Sequence, residues 1–121
     1  MKIFRNEDGQ TLVLTALCMT AMLGFMALAI DVGILFRSKR NMQIAADSAA
    51  VAAALDYYYN NATAANPLTH AQAAGQTAAT ANGVTNGTNG TVAVNCHPSS
   101  GPKSGGTGCN GYFEAIVTQP D

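Results

Sequence analysis

The residues able to do chemistry are few and scattered: three cysteines, two histidines and a small set of acids. Cys96 and Cys109 flank a Gly/Ser/Pro-rich stretch in the polar C-terminal part. In a domain this small, such a pair is what an oxidising compartment allows, and closing that loop stabilises by about 3 kcal/mol on the chain-entropy model. The competing readings are two reduced thiols, or a metal site with His97 that would still lack a fourth ligand. Cys18 lies inside an apolar run and reads as a small packed residue of a helix. Neither His70 nor His97 has a nucleophile, base and acid arranged around it in a recognisable motif. The sequence also lacks Cys-x-x-Cys-His, His-Glu-x-x-His, P-loop and dinucleotide-binding patterns. We therefore expect no enzyme activity, no catalytic residue, no cofactor and no resident metal.

Composition narrows the remaining classes. The net charge of −1 leaves no excess of positive charge to neutralise a phosphate backbone, so nucleic acid is not an expected partner. Charged residues make up 11% of the chain, where roughly a quarter is usual for soluble proteins. Most large apolar residues precede Leu55, and Ala, Gly, Thr and Asn dominate the C-terminal remainder. A membrane or an assembly partner is implied, and the polar part can build only a small core.

The element that accounts for this asymmetry is the run TLVLTALCMTAMLGFMALAI from Thr11 to Ile30, which carries no charge. At 1.5 Å per residue it matches a hydrocarbon core of about 30 Å. Ala16, Thr20 and Gly24 recur one turn apart and permit close helix pairing, although small residues also face lipid. Lys2 and Arg5 before the run and Ala27-Leu28-Ala29 near its end also fit a secretory signal, but the apolar stretch is longer than such signals need and resumes after Asp31. A third possibility is a leader cut after Gly9, leaving Gln10 first. Leu14 then stands where a type IV pilin would carry the glutamate that neutralises a neighbour's N-terminal amine.

Arg37, Lys39 and Arg40 after the run outnumber Lys2 and Arg5 before it, which by simple count favours a cytoplasmic C-terminus. The cysteine pair and the charge-poor polar part favour the opposite, and N-in, C-out is the orientation expected here.

Beyond the membrane the chain has no proline between Ile34 and Tyr59 and is rich in alanine, so one helix of nearly fifty residues is predicted. Met42, Ala45, Ala49, Ala52 and Leu55 form its predicted apolar stripe, with Lys39, Gln43 and Asp47 on another face. A partner helix or the domain's own second helix would cover that stripe. This second helix is predicted to start at Pro67 with Asn66 as its cap and to end at Asn82-Gly83. The Asn-Gly-Thr repeats between Val84 and Thr91 read as turns. Two strands, Thr91–Asn95 and Tyr112–Thr118, show two-residue alternation and are joined by the cysteine-flanked loop into an antiparallel hairpin.

The expected architecture is α+β: a long N-terminal transmembrane helix continuing into a small periplasmic domain with a second helix and a short β-hairpin. Its divisions are residues 1–10 in the cytoplasm, 11–36 in the membrane, 37–59 as the helix extension, and 60–121 as an extracytoplasmic domain with the disulfide loop.

Asn6-Glu7-Asp8-Gly9-Gln10, Ala29-Ile30-Asp31-Val32-Gly33, Lys39-Arg40 and Gln43-Ile44-Ala45-Ala46-Asp47-Ser48-Ala49-Ala50 together resemble the TadE/TadG-like proteins of Flp (tight adherence, Tad) pilus assembly. The resemblance covers about Arg5 to Ala54. It implies a bacterial inner-membrane protein with a periplasmic C-terminal part, whose partners are other pilus-assembly proteins or pilin subunits, with homo-oligomerisation through the N-terminal helix as an option. TadG-type members often carry a von Willebrand A-like domain, whose Asp-x-Ser-x-Ser metal site has no counterpart in this sequence. Asp31 is expected at the membrane boundary or in an assembly contact, and Asp47 on a solvated face or in such a contact. The sequence is compatible with three functions: an anchored assembly factor, a pilin-like subunit cut after Gly9, and a secreted binding domain cut after Ala29.

Overall fold

A computed structural model describes residues 8–60, 65–105, 109 and 111–120. The charged start at Lys2 and Arg5 lies outside the described residues. The order is α1 (Asp8–Asn60), α2 (Pro67–Ala81), β1 (Thr91–Asn95) and β2 (Glu114–Thr118). The fold is α+β, with a two-stranded antiparallel sheet. The chain divides into two compact units, Met1–Arg37 and Ser38–Asp121.

In the first unit α1 runs unbroken, since no proline interrupts it, and its threonine hydroxyls bond back along the helix. Thr15 Oγ1 donates to the Thr11 carbonyl. Thr20 Oγ1 reaches the carbonyls of Leu17 at 2.9 Å and Ala16 at 3.2 Å. These bonds satisfy side chains that would be costly unpaired in hydrocarbon. The large apolar residues of this stretch, from Leu12 to Phe36, are exposed throughout, so none of the other described residues covers them. Cys18 is also exposed, correcting the expectation of a packed residue: no other element among the described residues lies against this stretch of α1.

In the second unit the rest of α1 packs on α2 through very small residues. Ala45, Ala49 and Ala53 of α1 are fully buried, as are Ala71 and Ala79 of α2. A Cβ on Gly75 would lie 2.9 Å from the Ala49 carbonyl oxygen and 2.9 Å from Val94 Cγ2, so glycine is what allows this approach. The predicted apolar stripe is therefore shifted. Ala53 takes the buried place expected of Ala52 and Leu55, and Leu55 is 51% exposed. A run of alanines carries almost no phase of its own, and the neighbouring helix decides which of them it covers.

Helix α2 begins at Pro67, as its fixed φ favours. Asn66 is its N-cap residue, as expected, but makes no side-chain capping bond. Its carbonyl instead accepts from His70 N at 3.1 Å, which is the first intrahelical bond. At the other end Gly83, at φ 90°, releases the chain from the helix into the turns that lead to β1.

The hairpin pairs Val92 with Val117 and Val94 with Ala115. Val92 and Val94 face the core beside Val84, and Tyr57, Phe113, Ala115 and Val117 pack around its margin. The second strand is shorter than predicted, starting at Glu114 rather than Tyr112. The outer side of β1 is occupied by polar groups: Gln72 Nε2 donates to the Val94 carbonyl at 3.0 Å and Val92 N donates to Asn86 Oδ1 at 2.9 Å. A bare edge able to recruit another strand is thereby avoided.

Candidate assembly interface

Among the described residues, α1 presents two surfaces that the rest of the chain leaves uncovered. The first is the apolar segment. Its residues stay outside any core, and its length and hydropathy are sufficient to cross a bilayer. Asp31 interrupts the segment near its end, with Leu35 rather than a base at the i+4 position. No ion pair forms at Asp31 among the described residues.

The second surface lies on the part of α1 within the second unit, opposite the buried alanines. Arg40, Ile44, Asp47, Val51, Ala54 and Tyr58 succeed one another at spacings of four, three, four, three and four. All are exposed except Ala54, which is half-buried. Ile44 is 45%, Val51 58% and Tyr58 79% exposed. This is a heptad seam with apolar residues at one repeating position and Arg40 and Asp47 at the other. Sequence reasoning placed Asp47 in a row with Lys39 and Gln43 and missed the seam. The phase became legible only once the alanine face was fixed by α2.

The end of the unit holding the C-terminus of α1 carries its polar chemistry. Cys96 and Cys109 form a disulfide, with Cα atoms 4.8 Å apart. Beside it the Glu114 carboxylate accepts from Asn95 Nδ2 at 3.1 Å, Ser99 N at 3.0 Å and Ser99 Oγ at 3.1 Å. Those bonds, the Asn95 amide foremost, hold the Glu114 carboxyl below the usual carboxylate range against partial desolvation.

Asp56 near the end of α1 meets His70 Nδ1 of α2 at 2.7 Å and accepts from Asn60 Nδ2 at 2.8 Å. The His70 hydrogen bond is the main cause of its lowered carboxyl, with desolvation opposing and Asn60 assisting. The aromatic rings of Tyr57 and Phe113 lie 5.4 Å apart. With Ala54, Tyr58, Cys109 and Gly111 they line a depression of about 410 Å³.

None of these groups forms a constellation for catalysis among the described residues. His97 Nδ1 is buried without a hydrogen-bond partner, and Ser99 Oγ donates directly to the Glu114 carboxylate with no histidine between them. No cluster of three or more His, Cys, Asp or Glu suited to a metal occurs among them.

The fold is thus one helix long and apolar enough to cross a membrane, continuing into the helix of a small α+β unit. Residues 9–56 match the Tad family model, described as "Putative Flp pilus-assembly TadE/G-like", and the match lies entirely within α1. The match supports a role in pilus assembly. No curated protein and no solved structure matches the chain.

Proposed function

We propose that this chain is a non-enzymatic, membrane-anchored component of Flp pilus assembly. In this reading α1 spans the inner membrane, residues 38–121 lie in the periplasm, and the uncovered faces of α1 contact other assembly proteins or pilin subunits. The observation that carries the reading is that the family match coincides with a helix whose apolar surface is left uncovered by the other described residues. The disulfide supports an oxidising location for the second unit.

A second reading, a pilin-like subunit cut after Gly9, has one supporting observation: Gly9 lies in the first turn of α1, so cleavage there leaves the helix whole from Gln10 onward. Cleavage after Ala29 to release a secreted domain would instead divide α1 in mid-course.

The test is deletion in the native host with complementation by the full chain, scoring surface pili, membrane fractionation and the mature N-terminus. The anchored reading expects lost pili, restoration on complementation, and an uncut protein in the inner membrane. Unchanged piliation overturns it. Gln10 as the first residue in sheared filaments replaces it with the pilin-like reading, and Ile30 in the soluble fraction overturns both.

A further inference from the structure

The two edges of the hairpin are finished differently. On β1, Val92 N donates to Asn86 Oδ1 at 2.9 Å, and the carbonyls of Val92 and Val94 accept from Gln76 Nε2 at 3.4 Å and Gln72 Nε2 at 3.0 Å. Groups so engaged point away from β2, which makes Val92–Val117 and Val94–Ala115 the pairs of the antiparallel ladder that exchange no hydrogen bonds. The N–H and C=O groups of Ala115 and Val117 therefore point outward from the far side of β2. No hydrogen bond closes them among the described residues. Proline, lysine or a bulge would blunt such an edge. The strand Glu114–Thr118 contains neither residue, and its register is unbroken.

The space beside this open edge is apolar. Phe113, Ala115 and Val117 alternate toward the core yet are only partly buried. Tyr57, whose ring meets that of Phe113, shares a line of α1 with Ala46 and Ala50 at helical spacing. That line marks the side of α1 on which β2 lies, and Ala46, Ala50 and Ala54 there remain half-buried. Next to Phe113 opens the depression of about 410 Å³, with Ala54 and Tyr58 on its further wall. The edge thus offers main-chain donors and acceptors, a shallow floor of alanine, and room for one large side chain at the Phe113 end.

We propose that the open edge of β2 takes up an extended segment of another protein as a third strand, antiparallel to β2, with a bulky apolar side chain seated in the depression beside Phe113. Main-chain bonds to Ala115 and Val117 hold the segment, and the depression selects it. A five-residue edge is about 17 Å long. A strip of that length falls far short of the roughly 800 Å² that a folded partner buries on each side of a stable interface. A single extended segment is the occupant of matching size. Directly opposed residues of an antiparallel pair send their side chains to the same face. The residues of the segment whose N–H groups face β2 are therefore those whose side chains face α1, so its sequence alternates apolar inward and polar outward. This partner is separate from those proposed for α1, and its test depends on neither the membrane nor the pilus reading.

The test uses the full chain in phosphatidylcholine nanodiscs and a fluorescein-labelled peptide, Thr-Val-Thr-Val-Thr-Phe-Thr with a Lys-Lys tail for solubility, followed by fluorescence anisotropy. Saturable binding with Kd below about 1 mM is expected, weaker by about tenfold or more when the Phe is replaced by Ala. N-methylation of the Val and Phe amides should weaken binding to a similar degree, whereas N-methylation of the Thr amides should leave it unchanged. Ala115→Pro removes an outward N–H without touching the ladder to β1 and should also weaken binding by about tenfold or more. If that variant loses its near-ultraviolet dichroism, the methylated peptides decide, since they leave the protein unaltered. Absence of binding, or binding that Val and Phe methylation leaves unchanged, overturns the strand addition. Selective loss on Thr methylation overturns the antiparallel register in favour of a parallel one. Self-association of the full chain that the peptide displaces gives the edge to a second copy and overturns the assignment to another protein.

Discussion

Gly75 of α2 faces the backbone of Ala49 on α1 so closely that a methyl group there would sit 2.9 Å from the Ala49 carbonyl oxygen. That oxygen belongs to a helix backbone and cannot rotate away as a side chain could. Gly75→Ala gains up to about 1 kcal/mol of helix propensity but forces the helices apart, which costs on the order of 1–3 kcal/mol. We expect net destabilisation, read as a lower thermal midpoint of the full chain in detergent. Gly24→Ala, where a methyl meets open space, should lack that loss.

Acid should loosen the second unit at two places. Asp56 and Glu114 both have carboxyls held below their ordinary range in the folded state. The unfolded chain therefore takes up protons first as pH falls, so the stability these groups contribute is complete above about pH 5 and is lost progressively through and below about pH 4. The thermal midpoint should be flat with respect to these two groups from pH 7 to pH 5 and should decline below that. Glu114→Gln should reduce the acid slope. An unchanged slope would show that the Asn95 and Ser99 bonds do not distinguish the carboxylate from its protonated form.

How far the sequence revealed this arrangement depended on how strongly each residue type marks a direction. Pro67 and Asn82-Gly83 are conformationally specific, and they bracketed α2 correctly. Thr11 to Ile30 stands out because an uncharged stretch of that length has few other physical uses. The alanines from Ala45 to Ala54 mark a helix but not a face, so Leu55 was assigned to the core and the seam from Arg40 to Tyr58 went unseen. The Glu114 network joins Asn95, Ser99 and Glu114 across the hairpin, with no local spacing to announce it. Asp56 and His70 could have been found: once α2 is folded back on α1 across the residues between Asn60 and Pro67, positions at similar distances from that connection come together.

Reducing the Cys96–Cys109 bond should expose how little core lies beneath it. Among the described residues of the second unit the buried apolar ones are alanines and valines, with Tyr57 and Phe113 only partly covered. The bond closes a loop with a sequence separation of 13, a constraint worth about 3 kcal/mol against the unfolded state. That is a large share of the stability of a unit this size. Cys96→Ser with Cys109→Ser should lower the urea midpoint markedly and weaken the near-ultraviolet dichroism of the Tyr57–Phe113 pair. The helical signal of α1 before Arg37 should persist, since that unit contains none of these contacts.

The exposed seam and the buried core should separate in a joint measurement of stability and piliation. Val51 and Leu55 are more than half exposed and add little to the fold, so Val51→Ser with Leu55→Ser should shift stability by no more than about 0.5 kcal/mol per site. If α1 works through this face, the same double variant should nevertheless lose most surface pili while remaining in the membrane fraction at normal abundance. Val94 is the converse case: it is 4% exposed and touches α2 at Gly75. Val94→Ala should cost on the order of 1–2 kcal/mol and reduce pili only to the extent that protein abundance falls. Piliation that tracks abundance equally in both variants would assign the loss to folding and remove the seam from the assembly mechanism.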